Sequence, residues 1–199
     1  DDGAVVVLEP DTGKILAMVS KPDYDPNTLA DNWESIVTAD SSSVLLNRAT
    51  AGLYPPGSTF KIFTALEYIH ENPDYENYSF DCEGELTVDG NQIHCYHNSV
   101  HGQQNLIQSF ANSCNTSFAN IGLTLDISRF TDLLESMMFN KSLPGNVSGT
   151  SSRFTLTEDE GTGKIMQTAI GQGDTLVSPL HMALVAAAVD NDGVVMTPY

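Results

Sequence analysis

Apolar and polar positions near the start of the chain follow a period of two. Ala4–Leu8 is a short apolar, β-branched run, Glu9-Pro10-Asp11-Thr12-Gly13 carries turn chemistry, and Lys14–Ser20 alternates apolar and polar residues. Together they predict a β-hairpin. Lys21–Pro26, rich in Pro and Asp, predicts a loop, and Asp40–Ser43 a polar break. From Ser58 the period lengthens: Ile62, Phe63, Leu66 and Ile69 sit at helical spacing, and Asn72-Pro73 stops the helix. Glu85–Ile93 around Asp89-Gly90 predicts a second hairpin. Leu106, Ile107 and Phe110 mark a short helix, and Phe118 and Ile121 another. Phe130, Leu133, Leu134, Met137 and Met138 mark a longer one, with Ser128 as its N-cap. Gly161-Thr162-Gly163-Lys164 reads as a loop and Gly171-Gln172-Gly173 as a tight bend. Ser178-Pro179 opens a last helix over Leu180–Val189, with Gly193 beyond its end.

Early strands, a mostly helical middle and a final helix predict an α+β fold, with an antiparallel sheet packed against helices and a mainly helical lobe. A single hairpin is marginal in water, so further sheet strands are expected beyond Tyr199. Val194–Tyr199 itself reads as a strand or linker. Both ends look cut, so the chain is expected to be a piece of a longer protein. At 199 residues and 41% hydrophobic content it can build a core, which excludes global disorder. The net charge of −18 makes nucleic acid and anionic membrane surfaces poor partners. No apolar run reaches membrane-spanning length.

Ser58 and Lys61 bring in chemistry. Three apart at a helix start, they lie one turn apart on one face. A free serine hydroxyl is a poor nucleophile until a base stands beside it. A lysine whose pKa is lowered by burial can be that base. A serine in the first helical turn also has a backbone N–H without a helical partner, which can hold a developing oxyanion. Ser113-Cys114-Asn115 lies in a break between two short helical patterns. There the serine can relay a proton between Lys61 and a leaving amine, and the asparagine can bond a substrate amide. Each motif alone is short, and taken alone either is better explained as an N-cap serine with a surface lysine or as an ordinary helix connection.

Taken together and in this order, the motifs carry more. GAVVVLEPDTGKILAMVSKPDYDPN, NRATAGLYPPGSTFK, the His101–Gly122 stretch with SCNTSFANIG, and AIGQGDTLVSPLHMA resemble the transpeptidase domain of penicillin-binding proteins. These stretches cover most of the chain, and YPPGSTFK and GQG-x-x-x-V-S-P-L are far more specific than Ser-x-x-Lys. The resemblance implies a partial transpeptidase domain over residues 1–199. Residues 1–77 would hold the hairpin and nucleophile helix, 78–178 the mainly helical lobe, and 179–199 the last helix leading to further strands. It implies a D,D-transpeptidase that cross-links peptidoglycan stem peptides ending in D-Ala-D-Ala and is acylated by β-lactams. Ser58 would be the nucleophile, Lys61 the base, Ser113 the proton relay and Asn115 a substrate ligand, with no cofactor and no metal. The family's third motif, Lys-Ser/Thr-Gly on a strand, is not in this sequence. This chain alone is therefore expected to be acylated slowly or not at all. The implied location is the extracytoplasmic face of the bacterial membrane, held by an N-terminal anchor, with cell-wall synthesis or division proteins as partners. A serine β-lactamase is the first alternative, with Glu158 and Glu160 available as deacylation bases. The second is a non-enzymatic β-lactam-sensing or peptidoglycan-binding domain.

Cys82, His94, Cys95, His97 and His101 cluster in sequence. Cys and His are the preferred zinc ligands, but the spacing lacks the paired Cys-x-x-Cys knuckle. Pairing around the hairpin turn, in the oxidising compartment the resemblance implies, favours a Cys82–Cys95 disulfide instead, with two free thiols as the remaining alternative. His101 reads as a local packing or capping residue, and Cys114 as a small buried thiol.

Overall fold

The computed structural model describes residues 2–38 and 43–199, so most of the expected polar break at 40–43 lies outside the described residues. The elements follow in chain order. The first part holds β1 (Gly3–Leu8), β2 (Ile15–Lys21), α1 (Leu29–Thr38) and α2 (Lys61–Glu71). β3 (Phe80–Cys82), β4 (Glu85–Val88), β5 (Asn91–His94) and β6 (Gly102–Gln104) come next. α3 (Leu106–Ala111), α4 (Asn115–Gly122), α5 (Ile127–Ser136), α6 (Thr162–Ala169) and α7 (Pro179–Asp190) complete the order. The strands form antiparallel pairs β1–β2, β3–β6 and β4–β5, and the fold is α+β as expected. Among the described residues no helix is long and apolar enough to cross a membrane.

The contacts divide the chain into two units. One comprises residues 1–54, 141–152 and 177–199. Here β1 and β2 pair with Val5 opposite Val19, and the register shifts between Val7 and Leu8. The connecting turn closes through the Gly13 N–H, which donates to Glu9 O at 2.9 Å, with Gly13 at φ +80°. α7 packs on β1. Its start is the expected one: Pro179 occupies the first turn and Ser178 Oγ accepts from the His181 N–H at 3.3 Å. The Gly193 N–H closes its end on Ala188 O at 2.8 Å. Val194–Tyr199 forms no strand, though Tyr199 exchanges backbone bonds with Gly13 and Ile15. α1 was not expected from the sequence. Leu29, Trp33 and Ile36 do sit at helical spacing, but the helix buries no residue, so its pattern is diluted by exposed polar positions.

The other unit comprises residues 55–140 and 153–176. Its core is aromatic: Phe60, Phe63, Phe130, Phe139 and Phe154 are all buried. The Phe60 ring centroid lies 5.1 Å from Phe63, 6.0 Å from Phe130 and 6.1 Å from Phe154. The hairpin of β4 and β5 turns through Asp89 and Gly90, both at positive φ, the conformation an Asp-Gly two-residue turn favours.

Two expectations are corrected in this unit. The N-cap of α5 is Asp126, whose Oδ1 accepts from the Arg129 N–H at 3.1 Å, and not Ser128. That helix ends at Ser136, and Met138 turns away at φ +73°. Residues 161–164 are not a loop: Gly161 is the extended N-cap of α6, and the helix runs from Thr162. A Cβ on Gly163 would meet the end of the Asn91 side chain on the β4–β5 hairpin, which would have to move aside.

Candidate active site

Gly57, at φ +56°, turns the chain out of Pro55-Pro56 into a short 3₁₀ turn, Gly57–Phe60, which carries Ser58. The Lys61 N–H then donates back to Ser58 O and Thr59 O, and α2 begins. Two features fix the turn. Phe60 is buried in the aromatic core beneath it. The bend Gly171-Gln172-Gly173 backs it: the Gly57 N–H donates to Gly171 O at 2.8 Å. A Cβ on Gly171 would strike the Gly57 carbonyl oxygen and the Phe60 Cβ, and Gly171 sits at φ +76°. Glycine is thus demanded twice at that position. Ser58 itself is exposed, as a nucleophile needs to be.

Ser113 lies between α3 and α4 with φ +49°, and Cys114 caps α4. This turn points two acceptors at Lys61. Lys61 Nζ lies 2.7 Å from Ser113 O and 2.7 Å from Asn115 Oδ1, with Ser58 Oγ at 3.2 Å and Ser113 Oγ at 3.1 Å. Asn115 Nδ2 donates to His94 O at 2.9 Å, which fixes the amide so that Oδ1 faces the lysine. Lys61 is 1% exposed, and burial lowers its pKa to about 8, against the opposing pull of Cys114 and Cys95.

The bonding pattern has a direct consequence. A carbonyl and an amide oxygen only accept, so they take two N–H groups of the lysine. In the neutral amine those are all the hydrogens there are, and the remaining lone pair is left for the hydroxyls of Ser58 and Ser113. Once deprotonated, the amine therefore presents its lone pair as a proton acceptor between two serines.

All four residues expected at the site come together. Asn115 differs in one respect, since both ends of its amide are engaged within the protein, one on Lys61 and one on His94 O. Ser58, Ser113 and Asn115 line a cleft of about 480 Å3 that also includes Tyr96, Ser99 and Gln172. None of the three was expected at the site: Gln172 was read only as part of a tight bend, and a single polar residue such as Tyr96 or Ser99 on a loop carries no signal until the chain is folded. Among the described residues lining the cleft there is no carboxylate. Glu160 lies outside this lining and bonds Lys164 at 2.5 Å, and Glu158 is exposed.

The cysteines depart from the expected pairing. All three thiols are free and buried. Cys82 Sγ and Cys95 Sγ are 3.7 Å apart, far beyond the roughly 2.05 Å of a disulfide bond, and Cys114 Sγ is 3.7 Å from Cys95 Sγ. His101 Nδ1 lies 3.3 Å from Cys82 Sγ.

A model of the penicillin binding protein transpeptidase domain matches residues 3–199. The chain is 35% identical over 215 residues to the peptidoglycan D,D-transpeptidase PbpA of Mycolicibacterium smegmatis, an alignment covering 99% of this chain and 42% of that protein. It thus spans less than half the length of that curated relative. Among solved structures, the D,D-transpeptidase domain of a peptidoglycan glycosyltransferase from Eggerthella lenta is similar with a TM-score of 0.90 at 31% identity, covering 100% of this chain and 51% of the other. The imipenem acyl-enzyme complex of penicillin-binding protein A from M. tuberculosis is similar with a TM-score of 0.88 at 32% identity, covering 99% and 48%.

Proposed function

This chain belongs to the penicillin-binding protein transpeptidase family, and from that premise we propose that the protein cross-links peptidoglycan stem peptides through an acyl-enzyme on Ser58. The observation that carries the reading is the bonding of Lys61: two obligate acceptors hold its N–H groups, and Ser58 Oγ lies within proton-transfer reach at 3.2 Å.

In this mechanism Ser58 Oγ attacks the carbonyl carbon of the penultimate D-alanine, and its proton passes to Lys61 Nζ. The Ser58 N–H stabilises the oxyanion. The C–N bond breaks, and Ser113 hands the Lys61 proton to the departing D-alanine amine. The amine of a second stem peptide then attacks the ester, gives its proton to Lys61, and Ser58 leaves reprotonated. Asn115 holds Lys61 in place and presents the cleft wall to the substrate amide. A β-lactam carbonyl takes the same attack. The amide it opens stays tethered, so no leaving group departs and Ser58 stays blocked.

The substrate and the product cross-link both lie in the cell wall, which places the catalytic unit on the outer side of the membrane, held there by an anchor and served by other cell-wall synthesis or division proteins. The test is cross-link formation by the full-length protein from a stem-peptide donor and an amine acceptor, analysed by mass spectrometry. The reading predicts acceptor joined to donor with release of D-alanine. D-alanine release without any acceptor product, at saturating acceptor, would replace it with a hydrolase.

A further inference from the structure

Lys61 reaches its two acceptors across 52 and 54 positions of sequence, so its poise depends on how α2, α3 and α4 are held together. Ser113 sits at φ +49°, a conformation a non-glycine residue keeps only when its surroundings impose it. The end of α3 imposes it: the Ser113 N–H donates to Phe110 O at 3.0 Å and the Cys114 N–H to Ser109 O at 2.9 Å. Asn115 is held from the other side, as the first residue of α4 and through its bond to His94 O at 2.9 Å. Ser113 therefore moves with α3, and Asn115 with α4 and β5.

Three hydroxyls join the two sides. Ser109 on α3 and Ser117 on α4 are fully buried, and Ser117 Oγ donates to Ser109 Oγ at 2.8 Å. The Tyr78 hydroxyl, from the connection between α2 and β3, lies 2.9 Å from Ser117 Oγ and 3.3 Å from Ser117 O. Ser117 commits its one hydroxyl hydrogen to Ser109, so Tyr78 is the donor to Ser117. Burial pushes the Tyr78 pKa up, and the phenol keeps that hydrogen. The Tyr78 ring stands edge-on to Tyr68 of α2, with centroids 5.3 Å apart. The chain Tyr78–Ser117–Ser109 thus touches all three helices that meet at the lysine.

Small serines also occur wherever two helices pack closely, and that alone would account for one pair. Ser109 does more: its carbonyl holds the Cys114 N–H while its hydroxyl takes the hydrogen from Ser117. Buried hydroxyls are costly to leave unbonded, so the three members depend on one another.

We propose that Tyr78, Ser117 and Ser109 are positioning residues for the proton relay: their hydroxyl chain keeps the end of α3 in register with α4 and so holds Ser113 Oγ between Lys61 and the leaving amine. The proposal rests on the transpeptidase reading. In the step it serves, the C–N bond of the donor breaks and its electron pair stays on nitrogen. Lys61 Nζ gives a proton to Ser113 Oγ, and Ser113 passes its own hydrogen to that nitrogen. Loosening the chain shifts Ser113 from Lys61 but leaves Asn115 anchored on His94 O. Attack by Ser58 then survives better than protonation of the leaving group.

The experiment compares single-turnover acylation of Ser58 in the full-length protein by two donors, a D-alanyl-D-alanine amide and the matching D-alanyl thioester. The amine must be protonated to leave, whereas a thiolate, whose thiol has a pKa of about 8.5, leaves unaided. Ser117→Ala breaks both bonds of the chain. It should slow the amide donor about 10²-fold, the effect of misplacing a reacting group by about 1 Å, and slow the thioester far less. Tyr78→Phe leaves the Ser117–Ser109 bond in place. It should show the same selectivity at smaller size, and it carries the test if Ser117→Ala does not fold by circular dichroism. Adding Ser109→Ala to Ser117→Ala should slow the amide donor little further, because their bond is already gone. Equal slowing of both donors, or an unaltered amide rate, in the folded variants overturns the proposal alone. A wild-type protein that releases no D-alanine from the amide donor overturns the transpeptidase reading and the relay with it.

Discussion

Asn115 Oδ1 lies 2.7 Å from Lys61 Nζ, while the other end of the same amide is fixed on His94 O at 2.9 Å. The asparagine is thus a strut between the β4–β5 hairpin's end and the lysine. Asn115→Ala removes the acceptor and lets the amine turn an N–H toward Ser58 Oγ in place of its lone pair. Penicillin acylation of the full-length protein should fall about 10²–10⁴-fold, the worth of a positioned base. Stopped-flow or fluorescent-penicillin kinetics would read it, and an unchanged rate would remove Asn115 from the base's support.

The pH dependence follows from the same lysine. Only the neutral amine can accept the Ser58 proton, and burial lowers its pKa to about 8. The acylation rate should rise as pH increases and level off above about pH 8. Lys61→Met should be slower throughout and lose that rise. A wild-type profile flat from the neutral range upward would show that another group takes the proton.

Gly171→Ala should harm both stability and acylation. The new Cβ meets the Gly57 carbonyl and Phe60, at a φ that L-residues rarely adopt. A loss of about 1–3 kcal/mol is expected in denaturant unfolding, with acylation slowed because the displaced turn carries Ser58. Gly173→Ala, which has no atom closer than 3.9 Å to its added Cβ, should slow acylation much less.

The β-lactam adduct should be long-lived. Hydrolysis of an acyl-enzyme needs a base aimed at water, and no carboxylate is among the described residues lining the cleft. Chasing a labelled adduct should show slow loss of label. Rapid antibiotic turnover by the full-length protein would favour the β-lactamase alternative.

How much of this could be read from the chain depends on how local each signal is. Ser58 and Lys61 were legible because one helical turn fixes their spacing. Ser113 and Asn115 were legible as a turn, but Asn115's bond to Lys61 was not, since it joins residues 54 positions apart. β3 and β6 are three residues each, too short for alternation to show. Residues 161–164 looked like a loop because two glycines mask a helix start, and the Asn91 side chain that packs against Gly163 comes from far along the chain. The cysteine and histidine cluster was visible as composition. Its geometry was not, because Cys114 arrives from a helix cap far along the chain.

The central claim is that Ser58 is the acylated nucleophile. Peptide mapping by mass spectrometry after brief reaction of the full-length protein with benzylpenicillin tests it most directly. The account predicts a single adduct on the peptide containing Ser58, absent in Ser58→Ala. An adduct on a different serine, or labelling that persists in Ser58→Ala, would contradict it.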